Sequence, residues 1–161
     1  MQTGAKDEAT RAVAYRLLKI GSPAFGPNET IPSKYTCDGA NVNPPLTIDG
    51  IPEDTKSLAI IVDDPDAPAG TWVHWLVWDI PVTSHIKEDH VPDKEGINDF
   101  RRHHYGGPCP PSGTHRYYFK VYALDFIPEL SEQSDKSRLE KVIADHIIGF
   151  GELIGLYKRK K

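Results

Sequence analysis

The sequence predicts a mainly β domain with α structure confined to its C-terminal region. Three observations point there. Lys56–Val62, Thr71–Ile80 and His115–Leu124 are short runs rich in aliphatic, β-branched and aromatic residues, the composition and length of strands. Proline and glycine, 14 and 13 of them, punctuate the chain between these runs. Leu139, Val142, Ile143 and Ile147 recur at helical spacing late in the chain. Strands in series with one late helix make a βαβ-like or α+β arrangement.

In chain order, residues 1–18 read as an N-terminal extension and residues 19–161 as a single domain. Within the extension, Glu8–Leu18 fits a short helix with Ala12, Tyr15 and Leu18 on one face, and Leu17–Ile20 leads into the first strand. Gly21-Ser22-Pro23 and Pro27-Asn28 are turns. Ile31–Leu46 is polar and turn-rich; Asp38-Gly39 favours a positive φ, and Asn43-Pro44-Pro45 forces extended backbone. Residues 46–49 read as a strand and 50–56 as a loop. The nearly continuous aliphatic run of Lys56–Val62 is that of a strand covered on both faces. Strict alternation along Thr71–Ile80 puts Trp72, His74, Leu76, Trp78 and Ile80 on one face, and Val73, Trp75, Val77 and Asp79 on the other.

Residues 81–98 are a polar loop, and 101–113, RRHHYGGPCPPSG, a shaped one with no aliphatic residue. His115–Leu124 is the third strong strand. Ser134 or Asp135 caps the late helix, which is expected to stop near Gly149. Glu152–Tyr157 is the last strand, and the basic KRKK a solvated tail.

The bulk properties exclude several classes. The chain has 161 residues, enough for one real core. Its formal net charge of -4 gives no basic footprint for nucleic acid. No run approaches the roughly 20 apolar residues of a membrane span, so no integral membrane association is expected. The first residues lack a continuous apolar core, so a secretory signal is not read and a cytoplasmic location is expected. Two cysteines, Cys37 and Cys109, do not make a disulfide framework. In a cytosolic setting they are expected as thiols; a bond between them stays open, because the sequence does not fix their distance.

The candidate site begins at Asp63-Asp64-Pro65-Asp66-Ala67-Pro68. Asp64 and Asp66 suit two readings: acceptors of backbone N–H groups in a turn, or members of a binding site. His74 follows inside the next strand, and His115 opens a strand directly after the Gly/Pro loop. If these strands are neighbours, the ionisable groups and the loop converge on one mouth. Gly106, Gly107 and Gly113 permit close backbone approach, while Pro108, Pro110 and Pro111 hold the loop open. Imidazole hydrogens, loop N–H groups and the phenol of Tyr117 or Tyr105 can capture an anion. The carboxylates then serve as orienters of histidine or as acceptors for a polar head group. His103, His104, Arg101 and Arg102 form a basic patch beside this loop.

These motifs resemble those of the phosphatidylethanolamine-binding protein family, also called the Raf kinase inhibitor protein family, in its small bacterial and archaeal branch. The resemblance runs from about Leu18 to Lys158. It rests on YTCDGANVNPPL at Tyr35–Leu46, DDPDAP at Asp63–Pro68 with HWLVWDIP from His74, and YGGPCPPSGTHRYYFKVYALD at Tyr105–Asp125. The terminal HIIGFGELIGLYKR also matches. It implies a large antiparallel sheet packed on a smaller sheet, with a C-terminal helical region. It further implies a shallow cavity for phosphate, acetate or a phosphoryl head group. The matching positions make Asp64, Asp66, His74, Pro110, Pro111, Gly113, His115 and Tyr117 the ligand-binding set. The Ala69–Val73 linker is shorter than in eukaryotic members, so their partner-binding details do not transfer.

The expectation is a non-enzymatic binder of small anions: phosphate, phosphoryl head groups or carboxylates. Ser112 has no nucleophile-elbow context, Thr114 no assigned partner, and Cys109 sits between prolines as a rim residue. His103, His104, Cys109 and His115 match no strong zinc spacing, so neither metal nor cofactor is expected. The alternative is an interaction module that inhibits a protease or kinase through loops 81–98 and 101–113. Homodimerisation, as among bacterial relatives, is compatible with the pattern.

Overall fold

A computed structural model describes residues 15–160. In chain order the strands are β1 (Arg16–Leu17), β2 (Lys19–Gly21), β3 (Leu46–Asp49), β4 (Ser57–Asp64), β5 (Trp72–Ile80), β6 (His85–Ile86), β7 (Lys94–Glu95), β8 (His115–Leu124) and β9 (Ile147–Tyr157). A 3-10 turn, Ser33–Tyr35, lies between β2 and β3, and the α-helix α1 (Lys136–Ile143) between β8 and β9. Six strands form the large sheet in the order β1-β9-β8-β4-β5-β7, and three form the small one, β2-β3-β6. Every pairing between these strands is antiparallel except β1 with β9, which makes the large sheet mixed at one edge.

β4 explains the layering. All eight of its residues are buried, as its unbroken apolar run requires. Leu58, Ile60 and Val62 join Ile20, Leu46 and Ile48 of the small sheet in one core. Ala59 and Ile61 point the other way, into a second core with Trp78, Leu139 and Ile143 under α1. The period-2 alternation of one strand thus feeds two cores, and its last residues, Asp63 and Asp64, inherit opposite faces.

Several expectations change. The helix expected over 8–18 lies mostly outside the described residues; its described end, Arg16–Leu17, is strand, paired in parallel with Gly149 and Phe150. Leu18 is buried in the core rather than held in an extension. The late helix is capped by Asp135, whose side chain accepts from the Arg138 N–H, but it stops at Ile143, not near Gly149. The His146 N–H closes a turn onto the Ile143 carbonyl, and Ile147 pairs with Leu124 as the start of β9. Its helical spacing is overridden by sheet pairing. Asp38-Gly39 does not hold the positive φ; Asn41 does, at 62°. Gly39 is there for space, since a Cβ would lie 2.2 Å from the Ser33 carbonyl oxygen. The 81–98 loop contains β6 and β7, pairs of residues too short to leave a periodic signal.

The expected thiols are instead a disulfide, Cys37–Cys109, with Cα atoms 5.4 Å apart. The Cys37 N–H also donates to the Pro108 carbonyl, which brings the two loops together at this point. With the two cysteines 72 positions apart, no local spacing announces the bond.

Candidate functional site

The ends of β4, β5 and β8 meet because β4 pairs with both neighbours. Asp64 faces Trp72 across one pairing, and Asp63 faces Tyr118 across the other. A bulge then decides the aim of His74. Val62 pairs with Trp75 and Asp63 with Val73, leaving His74 as the extra residue. A bulged residue breaks the two-face alternation. His74 therefore does not share a face with Leu76 and Trp78, as strict alternation predicts. It lines a cavity with His115 and Tyr117.

Both imidazoles are buried and both are aimed by Nδ1. His115 Nδ1 lies 2.6 Å from Asp64 Oδ2, so its N–H donates to the carboxylate. The other Asp64 oxygen accepts the Asp66 N–H at 2.7 Å. Asp64 thus caps the turn and orients the histidine, uniting the two readings of its sequence. His74 Nδ1 lies 2.6 Å from the Gly106 carbonyl. A carbonyl only accepts, so Nδ1 carries the proton and Nε2 is left for a ligand. Burial pushes the His74 pKa below that of free imidazole, against the opposing pull of the Gly106 carbonyl and the Asp64 charge. His74 is accordingly neutral at pH 7.

Gly106 and Gly107 earn their place by proximity. The Gly106 N–H returns a bond to the His74 carbonyl, while the Gly107 N–H donates to Asn41 Oδ1 at 2.8 Å. A Cβ on Gly107 would lie 2.2 Å from the Tyr35 carbonyl oxygen. Asn98 steadies the same wall, its amide donating to the carbonyls of His74 and His104.

The cavity measures about 250 Å³. Its floor is Asp64, His74, His115 and Tyr117; Pro110 and Pro111 form one rim, and Trp72 with Phe100 the other. The Trp72 and Phe100 rings meet edge-on at 5.5 Å, and Phe100 meets His74 edge-on at 5.3 Å. Tyr117 packs edge-on to His74 at 5.3 Å and stacks with His115 at 6.4 Å. Its hydroxyl is buried without a hydrogen bond of normal geometry among the described residues. Burial first, and then the Asp64 charge, pushes the phenol well above its ordinary pKa, so it remains a donor.

Two expected site residues stand apart. Asp66 is outside the cavity wall. Arg116 grips it bidentately, Nε to Oδ2 at 2.9 Å and Nη2 to Oδ1 at 2.8 Å, and adds its backbone N–H at 2.9 Å. These bonds hold the Asp66 carboxyl down at about 2 and tie the 65–71 turn to β8. Gly113 lies beyond the lining residues and supplies a left-handed turn, φ 69°. Conversely, Trp72, Phe100, Ala67 and Cys109 line the cavity without having been marked as ligand groups. Phe100, an aromatic isolated in a polar loop, was the available signal. Cys109 has no thiol to act as a nucleophile. Among the described residues no group of three or more His, Cys, Asp or Glu side chains is placed to hold a metal ion, and no helix is long and apolar enough to cross a membrane.

The family model for phosphatidylethanolamine-binding proteins matches residues 21–158. A UPF0098 protein of Pyrococcus horikoshii is 51% identical over 155 residues, covering 89% of this chain and 77% of the relative. One from Methanothermobacter thermautotrophicus is 45% identical, covering 88% of this chain and 99% of its own. Among solved structures, a phosphatidylethanolamine-binding protein homologue from Chlamydia trachomatis superposes with a TM-score of 0.86 at 37% identity, covering 90% of this chain and 99% of its own. YbcL of E. coli, described as a member of the mammalian PEBP family, gives 0.81 at 32% identity, covering 89% and 99%. With this fold, these motifs and these relatives, the chain belongs to the phosphatidylethanolamine-binding protein family, in its bacterial and archaeal branch.

Proposed function

We propose that the chain is a binding protein for small anionic ligands, phosphate, phosphoryl head groups or carboxylates, in the cavity between His74 and His115. The observation that carries this reading is the Asp64–His115 pair, 2.6 Å apart at the base of an aromatic and prolyl cavity. The carboxylate fixes the ring's orientation through Nδ1 and aims Nε2 into the cavity. Tyr117 adds a hydroxyl donor. His74 contributes differently from the expected imidazole N–H donor, because its Nδ1 hydrogen is already given to the Gly106 carbonyl. Its neutral Nε2 accepts a hydrogen bond, which suits a protonated phosphate oxygen or a carboxylic acid.

The hydroxyl and thiol candidates of the sequence are not placed to attack a ligand in the cavity: Cys109 is oxidised, and Ser112 and Thr114 lie outside the cavity wall. Calorimetric titration with phosphate, phosphoethanolamine and acetate tests the reading. The double substitution His74→Ala, His115→Ala is expected to abolish measurable binding. Equal affinity in wild type and double variant overturns it.

A further inference from the structure

The cavity that holds His74 and His115 is divided by depth. Its ionisable side chains, Asp64, His74, His115 and Tyr117, are all buried at the floor. Above them, the Cys109 disulfide aside, the lining side chains are Ala67, Pro68, Trp72, Phe100, Pro110 and Pro111. The indole N–H of Trp72 is the sole hydrogen-bonding group among these six. Asp66 and Asp99 stand near this mouth, and both are engaged elsewhere. Arg116 grips Asp66, and Asp99 accepts the Val73 N–H at 2.6 Å; neither lines the cavity. A head group bearing hydroxyls or an amine would lose water here and meet no side-chain acceptor in return.

Trp72 and Phe100 are the exposed aromatic residues among those described, each 37% exposed. They come from different elements, β5 and the loop between β7 and β8, and the backbone beside each ring joins them. The Val73 N–H donates to the Asp99 carboxylate, and the Asp99 N–H returns a bond to the Val73 carbonyl at 2.9 Å. Gly106 makes room for the pair, since a Cβ there would lie 2.6 Å from the Phe100 ring. The carbonyl of the same Gly106 holds His74 Nδ1. One backbone segment thus sets both the rim ring and the floor imidazole. Exposed apolar rings gathered at a cavity mark a surface that gains by being covered.

We infer that the ligand of this cavity is an aromatic oxyanion: a phosphate or carboxylate carried on an aromatic ring. The oxyanion meets the floor, and the ring lies between the Trp72–Phe100 rim and the Pro110–Pro111 rim. The inference rests on the anion-binding reading and adds the chemistry of the group that bears the anion. Size agrees with it. A cavity of roughly 150 Å³ accommodates benzene, so about 250 Å³ holds one ring together with one oxyanion. Ring contacts with Trp72 and Phe100 add to the burial itself.

The test is calorimetric titration of the full chain with phenyl phosphate, methyl phosphate, phosphoethanolamine and inorganic phosphate, at one pH and ionic strength. Phenyl phosphate is expected to bind about thirtyfold more tightly than methyl phosphate, as burial of one phenyl ring predicts. Benzoate against acetate repeats the comparison for a carboxylate. In Trp72→Ala and in Phe100→Ala the phenyl preference is expected to fall to about threefold. Trp72→Phe keeps a ring and is expected to retain at least about tenfold. The quantity read is the ratio of the two esters, so a general loosening of the fold, which weakens both alike, does not mimic the effect. Equal binding of the two esters by wild type overturns the inference and leaves the anion reading standing. An unchanged ratio in both alanine variants also overturns it, because the ring is then seated elsewhere. So does tighter binding of phosphoethanolamine than of phenyl phosphate, which assigns the rings to an ammonium group. If none of these ligands binds at up to about 50 mM, the anion reading falls and the inference with it.

Discussion

Removing the Cys37–Cys109 bond, by reduction or by the double substitution Cys37→Ser, Cys109→Ser, lowers stability by about 4 kcal/mol. The magnitude follows from the separation of 72 positions between the cysteines: cross-linking a chain at that separation removes about 4 kcal/mol of loop-closure entropy from the unfolded state. The folded state changes little, because other bonds hold the same loops together. The Cys37 N–H donates to the Pro108 carbonyl, Tyr105 Oη to the Tyr35 carbonyl, and the Gly107 N–H to Asn41. Urea unfolding followed by tryptophan fluorescence measures it, since Trp75 and Trp78 are fully buried in β5. For a domain of this size the midpoint falls by about 2 M. The slope steepens, because the uncross-linked chain exposes more surface. Phosphate affinity stays within about threefold, since Pro110 and Pro111 remain anchored through Pro108. A stability loss under about 1 kcal/mol, in protein shown by thiol titration to be oxidised at the start, refutes the argument. The loops would then be held together in the unfolded state as well.

Asp64→Ala leaves the buried His115 Nδ1–H without its acceptor and uncaps the turn at Asp66; it should cost about 3 kcal/mol by urea unfolding and abolish phosphate binding, whereas Asp64→Asn keeps an acceptor and should cost less. Gly107→Ala drives a methyl against the Tyr35 carbonyl oxygen and Asn41 Oδ1, so a loss of at least about 2 kcal/mol is expected in the same assay, with the cavity wall at His74 displaced. The lowered pKa of His74 makes stability depend on pH. The unfolded chain takes up this proton first, so stability present above the ordinary imidazole value is lost as pH falls through it toward the folded value. Urea midpoints between pH 7.5 and 5.5 should fall more steeply for wild type than for His74→Asn, the difference never exceeding about 1.4 kcal/mol per pH unit; parallel profiles would mean that His74 titrates normally.

What the sequence reveals and what it hides divide along physical lines. His115–Leu124 is found with its observed ends, because alternation across a long strand is a local property written into every second residue. The convergence of Asp64, His74, His115 and Tyr117 is legible only in part: the residues would share one mouth if their strands are neighbours, and it is the family resemblance, not the spacing, that implies they face each other. His74 shows the limit. A bulge shifts one residue against the neighbouring strand, and nothing in TWVHWLVW says where the shift falls. The disulfide and the Phe100 rim are hidden for another reason: they depend on loops that only the finished sheet brings together. Asp63-Asp64 holds both lessons. As consecutive strand residues they must face opposite ways, and that much is fixed by the pleat. Their partners, one imidazole on one face and two lysines on the other, come from β8 and α1. A motif that reads as one acidic turn therefore lines two cavities back to back. Because Asp63 faces away from the His74–His115 cavity, Asp63→Asn should leave phosphate affinity there largely untouched, whereas Asp64→Ala should abolish it.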